Sequence, residues 1–127
     1  MTKDILLVDD LLLDVALTRR ALDDCTIAHR IVVAGDGEEA WQLAGAHRFD
    51  LILLDLKMPR VDGFELLARL RERADRRLPA IVLSGSNLES DRTRADALGA
   101  IEFVHKALDY REFKDSLKAA LGRHGFC

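Results

Sequence analysis

The chain has 127 residues, which suits one domain with a buried core, and no linker or low-complexity tract divides it. Its 19 basic and 22 acidic side chains give a formal net charge of -3, a balance that argues against tight nucleic-acid binding. The apolar runs are too short to span a bilayer and no segment has the pattern of a signal peptide, so we expect a cytoplasmic protein.

Short apolar runs alternate with amphipathic segments along the chain. In chain order, the runs that predict strands are 5–8, 31–34, 51–54, 80–83 and 101–104. The segments with apolar residues at helical spacing are about 13–25, 38–46, 64–70, 86–98 and 109–121. In the first helix, the pattern predicts that Leu13, Leu17 and Ala21 face the core. We also expect a capping box opened by Ser86 at the fourth helix, which Gly99 would end.

Continuous apolar strands that alternate with helices are typical of a parallel sheet buried on both faces. The pattern therefore predicts an α/β domain with a doubly wound, five-stranded parallel sheet and right-handed crossovers. We place its core at about 4–122 and a short tail at 123–127. The two cysteines, Cys25 and Cys127, match no zinc spacing and no disulfide framework, so we expect reduced thiols and a frayed Cys127.

Polar residues suited to phosphate chemistry follow four of the five apolar runs. Asp9 and Asp10 follow the first run, Asp55 the third, Ser84 the fourth, and Lys106 comes shortly after the fifth. Because the carboxyl ends of parallel strands meet at one edge of a sheet, we expect these side chains to lie close together. The alternative for each residue taken alone is an ordinary role, as a loop acid, a turn serine or a solvated lysine.

The three acids together predict a magnesium site, because this hard cation prefers oxygen ligands. Asp55 is in addition a candidate nucleophile, since a carboxylate can attack phosphorus and form an acyl phosphate where nearby positive charge neutralises the phosphoryl group. Magnesium and Lys106 would supply that charge, and Ser84 would donate a hydrogen bond to a phosphoryl oxygen.

Five segments of the chain carry a likeness to a known family. They are LVDD at 7–10, LLDLKMPRVDG at 53–63, VLSGS at 82–86, LGA at 98–100 and FVHK at 103–106. Through them, the chain from Ile5 to about Leu121 resembles the receiver domain of two-component response regulators. The resemblance implies a flavodoxin-like (βα)5 fold with strand order 2-1-3-4-5.

The resemblance also implies a role for each site residue. Asp55 would be the phosphoacceptor, with Asp9, Asp10 and the backbone carbonyl of Lys57 completing the magnesium site. The phosphoryl group would come from a sensor histidine kinase, and the domain would signal through protein contacts rather than act as a conventional enzyme. The last strand and the last two helices would form the surface for a homodimer or a target.

Three further positions take roles from the same resemblance. Ser84 and Phe103 match the hydroxyl and aromatic positions whose coupled movement reports phosphorylation, and Lys106 matches the lysine that contacts the phosphoryl group. Asp14, Arg19 and the stretch at 36–40 further resemble the small single-domain regulators paired with bacterial phytochrome kinases. The alternative function is a receiver-like interaction module that is not phosphorylated.

Two departures from the family pattern bear on the site. Ala107 follows Lys106 where the family usually has a proline after a cis bond, so we predict either a trans bond with a reshaped loop or a strained cis bond. Leu11 and Leu12 stand beside the pocket where polar residues are common. We interpret them as packing at the start of a helix, the alternative being an exposed contact for a kinase or a second subunit.

The residues around Asp55 and after the first strand argue against two enzyme classes. A phosphatase of the aspartyl-phosphate type would carry an acid two residues after its nucleophile, where this chain has Lys57. A dinucleotide-binding domain would need a glycine-rich turn after the first strand, and Asp9, Asp10 and Leu11 offer none.

The Lys57 side chain has two possible roles. It either reaches across the pocket mouth and affects hydrolysis of the phosphoryl group, or is a solvated loop lysine.

Overall fold

The computed structural model describes residues 2–58, 61–73 and 78–127. Its strands are β1 (Thr2–Val8), β2 (Ala28–Ala34), β3 (Leu51–Asp55), β4 (Ala80–Ser84) and β5 (Glu102–His105). Its helices are α1 (Leu12–Asp23), α2 (Gly37–Ala46), α3 (Gly63–Arg71), α4 (Glu89–Ala97) and α5 (Tyr110–Arg123). Among the residues so described, no helix has the length and apolar character needed to cross a membrane. The family-like Pro59 lies outside the described residues.

The five strands form one parallel sheet in the order β2-β1-β3-β4-β5, which confirms the predicted fold class. Successive side chains of a strand point to opposite faces, and both faces of this sheet are covered. Ile5 and Leu7 belong to the apolar cluster that includes side chains of α1 and α5, whereas Leu6 and Val8 belong to the cluster with α2, α3 and α4. Burial on both faces explains why β1, β3 and β4 contain continuous apolar runs.

Aspartate side chains cap the N-termini of α2 and α5. The Asp36 carboxylate accepts a hydrogen bond from the Glu39 backbone N–H at 2.8 Å, and the Glu39 side chain accepts one from Gly35 N–H, also at 2.8 Å. This reciprocal pair satisfies two donors near the first turn of α2. At α5, Asp109 accepts from the Arg111 backbone N–H at 2.8 Å.

The predicted capping box at α4 is wrong, although Gly99 ends the helix region with a positive φ of 98° as expected. The helix begins at Glu89, and its N-cap residue is Leu88, whose apolar side chain cannot cap. Ser86 instead donates its backbone N–H to Ser84 Oγ at 3.0 Å and accepts from Leu88 N–H at 3.2 Å. These two bonds hold residues 85–88 in a loop, so the helix starts later.

The buried face of α1 also differs from the prediction. Ala21 is buried as predicted and Leu17 is half-buried, but Val15 and Thr18 are buried as well, and Leu13 is 71% exposed. Two residues correspond to more than half a helical turn, so Leu13 lies away from the face that carries Val15. Tertiary packing on the sheet, rather than the count of leucines, therefore decides which face of α1 is buried.

The segment after α5 is docked on the domain, which corrects the expected frayed tail and free thiols. Cys25 and Cys127 form a disulfide with their Cα atoms 5.0 Å apart. Phe126 is 7% exposed and belongs to the apolar cluster of α1 and α5. Gly125, with a φ of 81°, turns the chain back after α5. The pairing could not be inferred from sequence, because the two cysteines are 102 residues apart.

Candidate functional site

The three predicted acids meet at the carboxyl edge of the sheet. Asp9 and Asp10 follow β1 and Asp55 is the last residue of the neighbouring strand β3. Each can place a carboxylate oxygen within 4.8 Å of the other two. Asp9 and Asp55 are buried and Asp10 is exposed, so the cluster opens to solvent on one side. A set of hard oxygen donors at this spacing fits a magnesium-sized cation that keeps several waters.

The phosphoacceptor candidate lies in an environment of mixed charge. Burial raises the pKa of the Asp55 carboxyl above its usual value. The ammonium of Lys106 opposes that rise, whereas the negative charges of Asp9 and Asp10 add to it. The Lys57 backbone N–H donates to Asp55 Oδ1 at 3.3 Å and favours the ionised form. Nearby positive charge therefore favours the ionised form of Asp55 against the effect of burial.

Lys106 reaches the acidic pocket from the loop after β5. Its Nζ lies 2.8 Å from Asp9 Oδ2, 3.0 Å from Asp14 Oδ2 and 3.6 Å from Asp55 Oδ2. Burial alone would lower its pKa, but the hydrogen bond to Asp9 and the charges of Asp55 and Asp9 outweigh burial and raise the pKa above the usual value. The lysine therefore stays charged and partly neutralises the cluster.

The bond between Lys106 and Ala107 is trans, since the described residues contain no cis peptide bond. Of the two predicted outcomes, the trans bond is thus confirmed. The Lys106 backbone N–H donates to Ser84 O at 2.7 Å, and the Ala107 N–H donates to His105 O at 3.0 Å. The first of these bonds continues the hydrogen bonding between β4 and β5 by one residue. It positions Lys106 at the sheet edge without help from a proline.

The two predicted switch residues lie on neighbouring strands. Ser84 ends β4, is 1% exposed, and accepts a hydrogen bond from Ser86 N–H. Phe103 pairs with Val82 across β4 and β5 and is half-buried against the cluster of α2, α3 and α4. The Arg92 guanidinium lies 4.8 Å from the centre of the Phe103 ring. Coupled movement of Ser84 and Phe103 remains a prediction.

Gly63 supports the loop after the phosphoacceptor candidate. Its N–H donates to Leu56 O at 2.9 Å. A Cβ at this position would lie 2.5 Å from Leu56 Cα and 2.7 Å from Asp55 O, both of them backbone atoms. Asp62 caps the helix that follows by accepting from Glu65 N–H at 2.9 Å. The close approach explains why a glycine follows Asp62 at the start of α3.

An apolar cavity of about 650 Å³ adjoins Asp55 and was not foreseen from the sequence. Its lining includes Leu11, Leu13, Leu88 and Leu108. Leu11 is 55% exposed, Leu88 is 62% exposed and Leu108 is 107% exposed. Leu12, next to them, is 86% exposed. The predicted packing of Leu11 and Leu12 at the helix start is therefore wrong. The sequence feature that indicates this exposed apolar surface is the run of three consecutive leucines at 11–13.

Two polar side chains, those of Lys57 and Thr18, are also among the residues that line this cavity. Lys57 is exposed and lines it together with Asp55. Thr18 also lines it, and its hydroxyl is buried without a hydrogen-bond partner among the residues that the structure describes. The position of Lys57 at the pocket mouth agrees with either of its two predicted roles.

Comparisons with known proteins agree on one family. A family profile described as "Response regulator receiver domain" matches residues 5–118. The response regulator GtcR of Aneurinibacillus migulanus is 37% identical over 123 residues, which cover 97% of this chain and 49% of that protein. The chain thus spans about half the length of this relative.

Two solved structures are similar over nearly the whole chain. The phosphorylated cyanobacterial phytochrome response regulator RcpA has a TM-score of 0.83 and 33% identity, covering 99% of this chain and 94% of its own. The Mn²⁺-bound response regulator Rcp1 has a TM-score of 0.82 and 31% identity, covering 98% of this chain and 93% of its own.

Proposed function

This chain belongs to the family of response regulator receiver domains, and on that premise we propose that it accepts a phosphoryl group on Asp55 from a sensor histidine kinase. The observation that carries the proposal is the grouping of Asp9, Asp10 and Asp55 within 4.8 Å, with the Lys106 ammonium 3.6 Å from Asp55. A buried carboxylate beside a lysine and a candidate cation site suits nucleophilic attack on phosphorus.

The chain's own residues divide the work of the transfer. An Asp55 oxygen attacks the phosphorus atom, and the bond between phosphorus and the donor's imidazole nitrogen breaks as the imidazole leaves with its electron pair. Lys106 stabilises negative charge on the phosphoryl oxygens, and the Ser84 hydroxyl donates to one of them. The Lys57 backbone N–H holds Asp55 Oδ1, which leaves the second carboxylate oxygen for attack.

The acids would hold a magnesium ion, with the backbone carbonyl of Lys57 as a further ligand. That ion would supply positive charge, which reduces the repulsion between the phosphoryl oxygens and the carboxylates. Rcp1 in its Mn²⁺-bound form, a protein similar to this one, supports a divalent cation. Asp9, the most buried of the cluster acids, already has a hydrogen bond from Leu11 N–H at 3.1 Å that orients it.

The kinase would dock where the exposed leucines surround the pocket. Leu11, Leu12 and Leu13 lie beside an apolar cavity that opens onto Asp55, so a partner with apolar side chains around its phosphohistidine would cover them. The similarity to RcpA supports a kinase of the bacterial phytochrome type. We propose that this phosphoryl transfer takes place in the cytoplasm.

The output of the domain would pass through protein contacts and not through turnover of a substrate. Phosphorylation would draw the Ser84 hydroxyl toward the new oxygens and allow Phe103 to repack, which changes the surface of α4, β5 and α5. This surface would then bind a target or a second copy. The proposal includes no direct contact with nucleic acid or membrane.

Incubation with magnesium and acetyl phosphate, followed by intact-protein mass spectrometry, tests the proposal. We expect the mass gain of one phosphoryl group on the wild type and none on Asp55→Asn. The label should be lost in base and should not form when magnesium is chelated. Asp62→Asn is the matched control, because this nearby acid caps α3 and has no role in transfer. An unlabelled wild type would instead favour the non-phosphorylated interaction module.

A further inference from the structure

The disulfide between Cys25 and Cys127 lies apart from the phosphoacceptor site. Cys25 follows α1 and Cys127 follows α5, so the bond links the far ends of two neighbouring helices. Both cysteines are half-buried rather than fully enclosed, which leaves part of each side chain in contact with solvent. Reduction of the folded protein requires that a thiol in solution reach this disulfide, which reduction without denaturant tests directly.

Within the described part of the chain, non-covalent contacts as well as the disulfide hold the segment at 124–127. The Phe126 carbonyl lies 2.6 Å from His29 Nε2, and the Phe126 N–H donates to Leu121 O at 2.9 Å. The Phe126 ring is buried, with the Lys3 ammonium 5.6 Å from its centre. His124 also contacts Glu102, with 2.8 Å between Nε2 and Oε2, and the His124 and Gly125 N–H groups donate to carbonyls of the last turn of α5. The disulfide adds a covalent restraint to these non-covalent contacts.

The helices joined by the disulfide have other contacts that do not depend on it. Lys118 and Lys114 reach Asp24, at the end of α1, with N–O distances of 2.6 and 3.7 Å. Arg20 of α1 lies 4.7 Å from the centre of the Tyr110 ring of α5. Breaking the disulfide would therefore free the segment at 124–127 while α1 and α5 stay packed on the sheet.

We propose that Cys25 and Cys127 form a reversible thiol–disulfide exchange site whose redox state decides whether residues 124–127 stay docked. Disulfides in a reducing compartment are usually transient or redox-sensing, and the proposed kinase partner places the protein in such a compartment. The inference rests on the proposed function for this location, but its test does not use phosphorylation of Asp55. The reductant of this disulfide would be a dithiol, either a low-molecular-weight compound or a protein.

The exchange balances without any other reactant. A thiolate of the dithiol attacks one sulfur of the bond, the other leaves as a thiolate and takes a proton, and a mixed disulfide forms. The second thiol of the reductant then displaces the remaining cysteine. Two electrons and two protons pass to Cys25 and Cys127, and the reductant becomes a disulfide. Phe126 then keeps only its non-covalent contacts.

Hydrogen exchange on the purified 127-residue protein tests this, with dithiothreitol as reductant and no denaturant. We expect maleimide labelling to count two thiols after reduction and none before. The Phe126 N–H should then exchange roughly tenfold faster or more, since its bond to Leu121 O opens with the segment. Amides of β1 and β3 should remain the slowest to exchange in both redox states, because these strands stay folded. Oxidised glutathione should restore the slow exchange.

Cys25→Ser is the matched variant, and Cys127→Ser replaces it if the first does not fold. Either variant should show fast exchange at Phe126 under both redox conditions. Two outcomes would overturn the proposal: a disulfide that dithiothreitol reduces only after denaturation, or equal protection of Phe126 in the oxidised and reduced protein. Neither outcome bears on labelling of Asp55, so the proposed function stands or fails separately.

Discussion

Replacing Lys106 by methionine tests how the acidic pocket balances its charge. The Lys106 Nζ lies between 2.8 and 3.6 Å from oxygens of Asp9, Asp14 and Asp55. Asp9 and Asp55 are 2% and 7% exposed, so water screens their charges poorly. Without the ammonium, these carboxylates would repel each other across the pocket. Methionine keeps the length of the side chain and removes only the charge and the donors.

The size of the effect follows from how deeply each partner is buried. Removing one partner of a buried ion pair costs about 3–5 kcal/mol, whereas an exposed pair contributes about 0–1 kcal/mol. The side chain of Asp14 is 27% exposed, and that of Lys106 is 14% exposed. We therefore expect Lys106→Met to lower the free energy of unfolding by about 2–3 kcal/mol in the absence of magnesium. Saturating magnesium should reduce this loss, because the cation would neutralise the same carboxylates.

Urea unfolding at neutral pH, with and without magnesium, measures both effects. Lys118→Met is the matched control, because Lys118 also contacts an aspartate but on the surface, where its side chain is 32% exposed. That variant should lose less than about 1 kcal/mol and should show no added dependence on magnesium. The reasoning fails if the two variants lose the same stability, or if magnesium stabilises Lys106→Met no more than wild type.

Three further changes follow from contacts elsewhere in the domain. Gly63→Ala should cost about 3 kcal/mol or more in urea unfolding, because its Cβ would meet the backbone of Leu56 at 2.5 Å; a loss below 1 kcal/mol would contradict that packing. The hydrogen bond from Arg123 lowers the pKa of Glu102, so this pair stabilises the fold above the ordinary carboxyl pKa and loses its effect as pH falls. Glu102→Gln should therefore lose under about 1 kcal/mol at neutral pH, and this loss should shrink as the pH falls below the ordinary carboxyl pKa; a loss that does not change with pH would refute the linkage. The disulfide closes a loop that spans 102 residues, and Cys127→Ser removes this closure. The free energy of unfolding of this variant under oxidising conditions should therefore be lower than that of wild type by about 4–5 kcal/mol. Wild type in dithiothreitol should show a similar loss.

The sequence alone was enough to predict the sheet, most of the helices and the acidic cluster. Strands buried on both faces need apolar residues at every position, so their runs are visible without a structure. Parallel strands all end at one edge, so residues such as Asp55 and Asp9 could be brought together by topology. Helix caps such as Asp36 and Asp109 are local, because side chain and backbone partner lie within three residues of each other.

Only the tertiary structure decided the features that depend on distant contacts. The burial of Val15 and exposure of Leu13 follow from how α1 packs on the sheet, which its own spacing left ambiguous. Lys106 reaches the pocket through a backbone bond to Ser84, a residue 22 positions away on the neighbouring strand. The pairing of Cys25 with Cys127 arises because α1 and α5 lie side by side. Sequence patterns report local geometry and burial, whereas these contacts exist only after the chain has folded.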